Sequence, residues 1–281
     1  MATTLPPRYL ACMAKPDRPT PKKHPWGLVR EHWVGLLNDL LLAVDRCLAH
    51  LGTERVHDLR VAIRRTLPVL ELATVVLPDA APWKALHQEL HGLLRLTGPL
   101  RDRQLFRIRL QALGRRERAL RKAPEALLAK ARDQEREQKL AVRHALEEHA
   151  ELFIGLHQAA AAIGRSTPQP GADLMEVVAH SRDRMERRWS QVLPGDPHTL
   201  HRARIAVKRH RYLLEALAPV LEPDVLAETE QHRHVQRLIG RWHDELLFRE
   251  WLLDQGGPGL GLLARLPRMK HLPKQMGRPA H

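Results

Sequence analysis

Two stretches of this chain, VHDLRVAIRR (56–65) and LHRARIAVKRHRYLLEA (200–216), carry the residue types that grip oxyanions. The first sets out His57, Arg60, Arg64 and Arg65, the second His201, Arg204, Lys208, Arg209 and Arg211. Guanidinium forks meet phosphate oxygens with parallel N–H donors, an ammonium meets them as a compact charge, and an imidazole beside phosphate is favoured in its charged form. At roughly 100° per residue, His201, Arg204, Lys208, Arg211 and Glu215 fall within an arc of roughly 80°. Leu200, Val207 and Leu214 bracket that stripe on one side, Ile205 and Tyr212 on the other. His57, Arg60 and Arg64 occupy the matching arc of the first stretch, where Leu67 replaces Arg211 and Pro68 follows. A proline inside a helix removes a backbone hydrogen bond, so the first stripe is expected to be shorter or bent.

Like charges three or four residues apart on a helix cost about 0.2–0.5 kcal/mol per pair, and one Glu per stripe (Glu71, Glu215) offsets little of that. A solvated face would account for one such helix. Two at equivalent positions, each flanked by residues that pack, point to a counter-charge from outside the chain.

The equivalence extends beyond the stripes. At an offset of 144 residues His57 matches His201, Arg60 Arg204, Ala62 Ala206, Arg65 Arg209, Leu70 Leu214 and Glu71 Glu215. At an offset of 142, LTGPLRDRQLFRIRL (96–110) matches LIGRWHDELLFREWL (238–252), which adds Arg101 and His243 as site candidates. Asp102 and Asp244 beside them read as carboxylates at helix starts. Two motifs repeated in order at nearly one offset predict an internal duplication, with helical halves related by a pseudo-twofold.

The elements that must hold these residues are helices. Leu, Ala, Arg and Glu dominate, only 4% of residues are aromatic, and no sustained alternation of β-branched residues occurs, so an all-α fold is expected. Breaks are expected near Gly52, at 77–79, at Gly98-Pro99, in the loop 164–173, at 193–197, at Glu222-Pro223-Asp224 and near Gly240. They divide the chain into a flexible basic N-terminal tail at 1–25, a folded part at 26–255 and a flexible Gly/Pro-rich basic tail at 256–281. The folded part reads as a first half at about 26–113, connecting helices at about 114–170 and a second half at about 171–255.

A net charge of +14 and a pI near 10.6 favour anionic partners. Cys12 and Cys47 form no CxxC pair, so neither a disulfide framework nor a cysteine zinc site is expected. Without a signal-like apolar region or a run of about 18 apolar residues, the expectation is a cytoplasmic protein with no membrane partner. No metal or other cofactor is expected. Glu54 and His57 have the ExxH spacing of di-iron bundles, but the equivalent of Glu54 is His198, and His87 and His91 stand as a pair alone. The ExExK of EREQK (135–139) lies in a helical pattern rather than a barrel strand, GGPGLG (256–261) lacks a preceding strand, and neither GxxxxGK[ST] nor GxSxG occurs.

VHDLRVAIRR, GPLRD, LHRARIAVKRHRYLLEA and LIGRWHD, in that order, resemble the CHAD family, the conserved histidine α-helical domain, over about 26–255. The resemblance implies two stacked up-and-down helical bundles with a basic channel between them that binds inorganic polyphosphate. It carries His57, Arg60, Arg64, His201, Arg204, Lys208 and Arg211 over as phosphate contacts, with Arg65 and Arg209 beside them. The expected function is electrostatic capture of this linear polyanion without a catalytic centre, with polyphosphate granules as one place of association. The alternatives are a polyphosphate or triphosphate phosphohydrolase, which needs clustered carboxylates and a metal, and a non-specific nucleic-acid binder, which normally adds aromatic stacking platforms.

Overall fold

The computed structural model describes residues 25–116, 122–193 and 196–267. Apart from Pro25, the N-terminal tail expected at 1–25 lies outside them, as do 268–281. Ten α-helices occur among the described residues, with no strand: α1 (Pro25–Ala49), α2 (Thr53–Val76), α3 (Ala80–Leu96), α4 (Gly98–Arg116), α5 (Lys122–Glu148), α6 (Ala150–Arg165), α7 (Leu174–Ser190), α8 (Pro197–Leu217), α9 (Pro223–Asp254) and α10 (Gly257–Leu263). Among them no helix is long and apolar enough to cross a membrane.

The main core follows from three- and four-residue apolar spacing. In α1 this buries Val29, Trp33, Leu36, Leu37, Leu40, Val44 and Cys47 against α2 and α6, while Leu213, Leu214, Ala216 and Leu217 close the core from the end of α8. Trp33 donates from Nε1 to the Ala216 carbonyl at 2.9 Å, and Trp26 to the Ser166 carbonyl at 2.9 Å, so the indole N–H groups are not stranded inside. A second core is separate. Phe106 and Leu110 of α4, Leu127 and Ala131 of α5, Phe248, Trp251 and Leu252 of α9 and Leu262 of α10 form it. Capping carboxylates start three helices: Asp79 accepts from the Ala81 N–H, Asp173 from the Met175 and Glu176 N–H groups, and Asp196 from the His198 N–H.

Three expectations change. The chain does not break at Gly240, because α9 runs unbroken from Pro223 to Asp254. Glycine alone only weakens a helix, by about 1 kcal/mol; at the equivalent Gly98 a proline follows, and Pro99 fits the first turn of a new helix, whereas Arg241 continues the old one. Asp244 is therefore interior to α9 rather than a helix-start carboxylate. Second, α2 is not cut short at Pro68: that residue is buried, and the helix runs on to Val76 past the missing hydrogen bond to the Arg64 carbonyl. Third, the expected tail at 256–281 begins as structure. Gly256 turns the chain at φ +68, a conformation glycine adopts without strain, and α10 then buries Leu262 in the second core.

Candidate functional site

Helix α2 packs on α8, and the faces that meet carry the two stripes. Arg64 stands at the centre. Its charge bears on His57, Arg60 and Arg101 from the first half of the chain and on Arg204 and Lys208 from the second. From α9, His243 sets its ring 5.0 Å from that of His201, and Asp244 faces Arg204, Lys208 and Arg101. Helix α4 adds Arg101 and Asp102, the latter facing Arg60 and Asp244. Eight of the expected residues thus come together: His57, Arg60, Arg64, Arg101, His201, Arg204, Lys208 and His243.

Their hydrogen bonding divides them. Arg60 donates to the Leu94 carbonyl at 2.6 Å and to the buried Thr97 hydroxyl at 2.7 Å, so it ties α2 to the end of α3. Arg101 donates to the Thr53 carbonyl at 3.0 Å and ties α4 to the start of α2. By contrast, no hydrogen bond or ion pair among the described residues engages Arg64, Arg204 or Lys208, and the Nε of Arg204 is buried without a partner. Asp102 and Asp244 are near, yet neither forms an ion pair with these cations.

Burial without pairing shows in the proton affinities. Burial first, then the charges of Arg204 and Arg64, pushes Lys208 from 10.5 down to about 7. Burial and Arg64 bring Arg60 to about 10, and burial lowers Arg101 and Arg204. The imidazoles follow: burial and Arg101 lower His57, burial and Arg204 lower His201, and burial with Arg204 takes His243 to about 4. Burial raises Asp102 although Arg60 opposes it. In the ligand-free protein the histidines therefore favour the neutral form, opposite to what a neighbouring phosphate would impose.

Three expected contacts lie elsewhere. Arg65 forms an ion pair with Glu215 at 3.7 Å, and Arg209 forms one with Glu71, so each spans from one stripe helix to the other. Arg211 is buried, stacks on the Tyr212 ring at 4.0 Å, donates from Nε to the Gln236 amide oxygen at 3.2 Å and pairs with Glu215. Its charge is answered inside the chain. Leu67, which replaces it in α2, packs against the main core, so the substitution costs the cluster no free cation. Sequence reasoning passed over His210 and His232, which lie together in the interior with ring centroids 5.5 Å apart. Burial takes them to about 3 and about 4. Their only sequence signal was His210 falling three residues after Val207 on the packed side of α8.

The helices and this cluster define an all-α protein with a half-buried, unpaired cation site where two basic helices meet. The CHAD domain family model matches residues 35–253, and the chain belongs to that family. Solved structures agree in fold. The crystal structure of the CHAD domain from the plant Ricinus communis matches at a TM-score of 0.64 and 21% identity over 84% of this chain and 85% of that one. PptA from Streptomyces chartreusis matches at a TM-score of 0.59 and 17% identity over 87% and 88%. No curated protein matches the chain.

Proposed function

We propose that this protein binds inorganic polyphosphate at the α2–α8 cluster and carries no catalytic centre. The observation that carries the reading is the state of Arg64, Arg204 and Lys208, which are partly buried, adjacent and without a counter-ion from the chain. Burying like charges together is costly unless an anion completes the site. Family membership supports the choice of anion. The binder reading over a phosphohydrolase is supported by the make-up of the cluster, in which cations outnumber the two carboxylates, Asp102 and Asp244.

We infer further that the two halves are related by a pseudo-twofold. Arg65 reaches Glu215 while Arg209 reaches Glu71, the exchange of partners that a twofold axis between α2 and α8 generates. A β-carbon on Gly98 would lie 3.8 Å from the Arg60 guanidinium, and one on Gly240 would lie 4.0 Å from that of Arg204. Such a site suits a ligand without direction. A phosphoanhydride chain reads the same from either end, whereas a nucleic-acid strand does not, and this favours polyphosphate over RNA.

The test is competition between long-chain polyphosphate and single-stranded RNA of matched charge, with released phosphate followed in the presence of Mg²⁺ or Mn²⁺. Polyphosphate should win at physiological salt with no phosphate released. Arg204→Ala with Lys208→Ala should weaken binding at least tenfold, whereas Lys130→Ala with Arg132→Ala, exposed on α5 and equal in charge, should change it less than twofold. Preferred RNA binding, phosphate release, or equal loss from both pairs would overturn the reading.

A further inference from the structure

We propose that anion capture at this cluster is coupled to proton uptake, and that the group taking up the proton is Lys208. The inference rests on the polyphosphate reading above and names the regulation of the same site.

The geometry sets the coupling. Lys208 lies where α8 meets α2 and α9, and every element packed around its amine contributes charge. Arg64 faces it from α2, and Arg204, Arg211 and His201 share α8 with it. His243 and Asp244 face it from α9. On the far side of Arg204, α4 brings Asp102, and with it Arg101. Arg64 and Arg204, neither with a partner of its own among the described residues, outweigh the one facing carboxylate, and Asp244 is not within ion-pair distance. An amine so placed is stable as the neutral base while the site is empty. A phosphate oxygen arriving among Arg64, Arg204 and Lys208 reverses the balance, because it supplies the opposite charge that the chain withholds. The amine then takes a proton from solvent, and the ammonium donates to the bound oxygen.

The arginines remain charged throughout and supply affinity without pH dependence. The histidines contribute on the acid side, since burial holds them below 6.5 in the empty site. Around pH 7–8 the titrating member is the lysine, which falls to about 7 when the site is empty. The protein therefore grips its polyanion more firmly as the medium acidifies through neutrality and loosens it as the medium turns alkaline, without any conformational switch.

The experiment is titration calorimetry of the full chain with long-chain polyphosphate, in which terminal phosphates are few, at pH 8 in buffers of differing ionisation enthalpy. The slope of apparent enthalpy against buffer enthalpy reads protons taken up. The parent should take up close to one proton per site, and its affinity should fall about tenfold from pH 6 to pH 8, as expected for a group that titrates near 7 when free and well above 8 when bound. Lys208→Arg, which is charged in both states, should take up few protons at pH 8 and bind at least as well as the parent there. Lys208→Met should bind more weakly at pH 6 and lose the same proton signal. A zero slope in the parent with binding intact, or a slope that survives in Lys208→Arg, would overturn the coupling and leave the binding reading standing. No association in calorimetry or in a membrane-retention assay would overturn the binding reading itself.

Discussion

Replacing Lys208 by methionine should stabilise the ligand-free protein at neutral pH, although the side chain lies at the centre of its binding site. Lys208 falls from 10.5 in the unfolded chain to about 7 in the fold, about 3.5 units at about 1.36 kcal/mol each, or roughly 5 kcal/mol against the charged form. At pH 7 half of the folded molecules have released the proton, which trims the cost to about 4 kcal/mol, and partial solvent access lowers it to roughly 2–4 kcal/mol. The direction with pH follows from linkage. Between pH 7 and 10.5 the unfolded chain holds a proton that the folded chain has lost, so parent stability rises with pH across that window. The cost is fully present below pH 7 and gone above 10.5. Methionine keeps the length of the stem without the charge. Thermal unfolding followed by circular dichroism should place Lys208→Met about 5–10 °C above the parent at pH 7, with the gap closing towards pH 10. A gap of the same size at both pH values, or a less stable variant at pH 7, would refute the claim that the fold disfavours the Lys208 ammonium.

Arg60→Ala should lower stability by roughly 1–3 kcal/mol in urea unfolding, because it strips the donor from the Leu94 carbonyl and the buried Thr97 hydroxyl, whereas Arg64→Ala should leave stability unchanged or raised while weakening polyphosphate at least tenfold. Double-mutant cycles on Arg65 with Glu215 and on Arg209 with Glu71 should each give a coupling of roughly 0.2–1 kcal/mol, and Arg65→Ala should shift polyphosphate affinity less than twofold in calorimetry. Acid titration should expose the interior histidines. With His210 at about 3 and His232 at about 4 against 6.5 unfolded, the unfolded chain gains protons first as pH falls below 6.5, so stability drops through that window until both states are charged near pH 3. Between pH 6 and 4, His210→Gln should lose stability less steeply than the parent in pH-dependent urea unfolding.

The parts of this molecule that were legible in its sequence are those set by neighbours along the chain. The break at 77–79 was readable because Pro78 and Asp79 each oppose helix continuation. The one expected at Gly240 failed because glycine alone does not decide it, and the deciding residue, Pro99 in one copy and Arg241 in the other, sits one place further on. The stripes were readable as stripes, and with them most of the residues that gather. Which cations stay free was not readable, since Glu71 and Glu215 belong to the stripes by spacing yet bind arginines on the opposite helix. Proton affinity in the ligand-free protein was not readable for the same reason. Burial between helices that are distant in sequence lowers His57 and His201 and brings Lys208 down to about 7.

The second core has a consequence for how the molecule comes apart. Helix α4 starts at the cation cluster with Arg101 and runs on into the second core at Phe106 and Leu110, while α9 passes the cluster at His243 and Asp244 and enters the second core one turn later at Phe248, Trp251 and Leu252. That far cluster is small, and among the described residues it shares no buried member with the main core. It is therefore placed to open as a cooperative unit of its own, at a lower free energy than global unfolding. Amides of α10, the first half of α5 and the last turns of α9 should exchange with solvent together and ahead of α1 and α2. The first turns of α4 and the middle of α9 should stay protected, because Arg101 on Thr53 and the packing of α9 on α8 remain in place. The anion site would then outlast the loss of part of the helical chain around it, as an anchorage that survives the partial melting of its own supports.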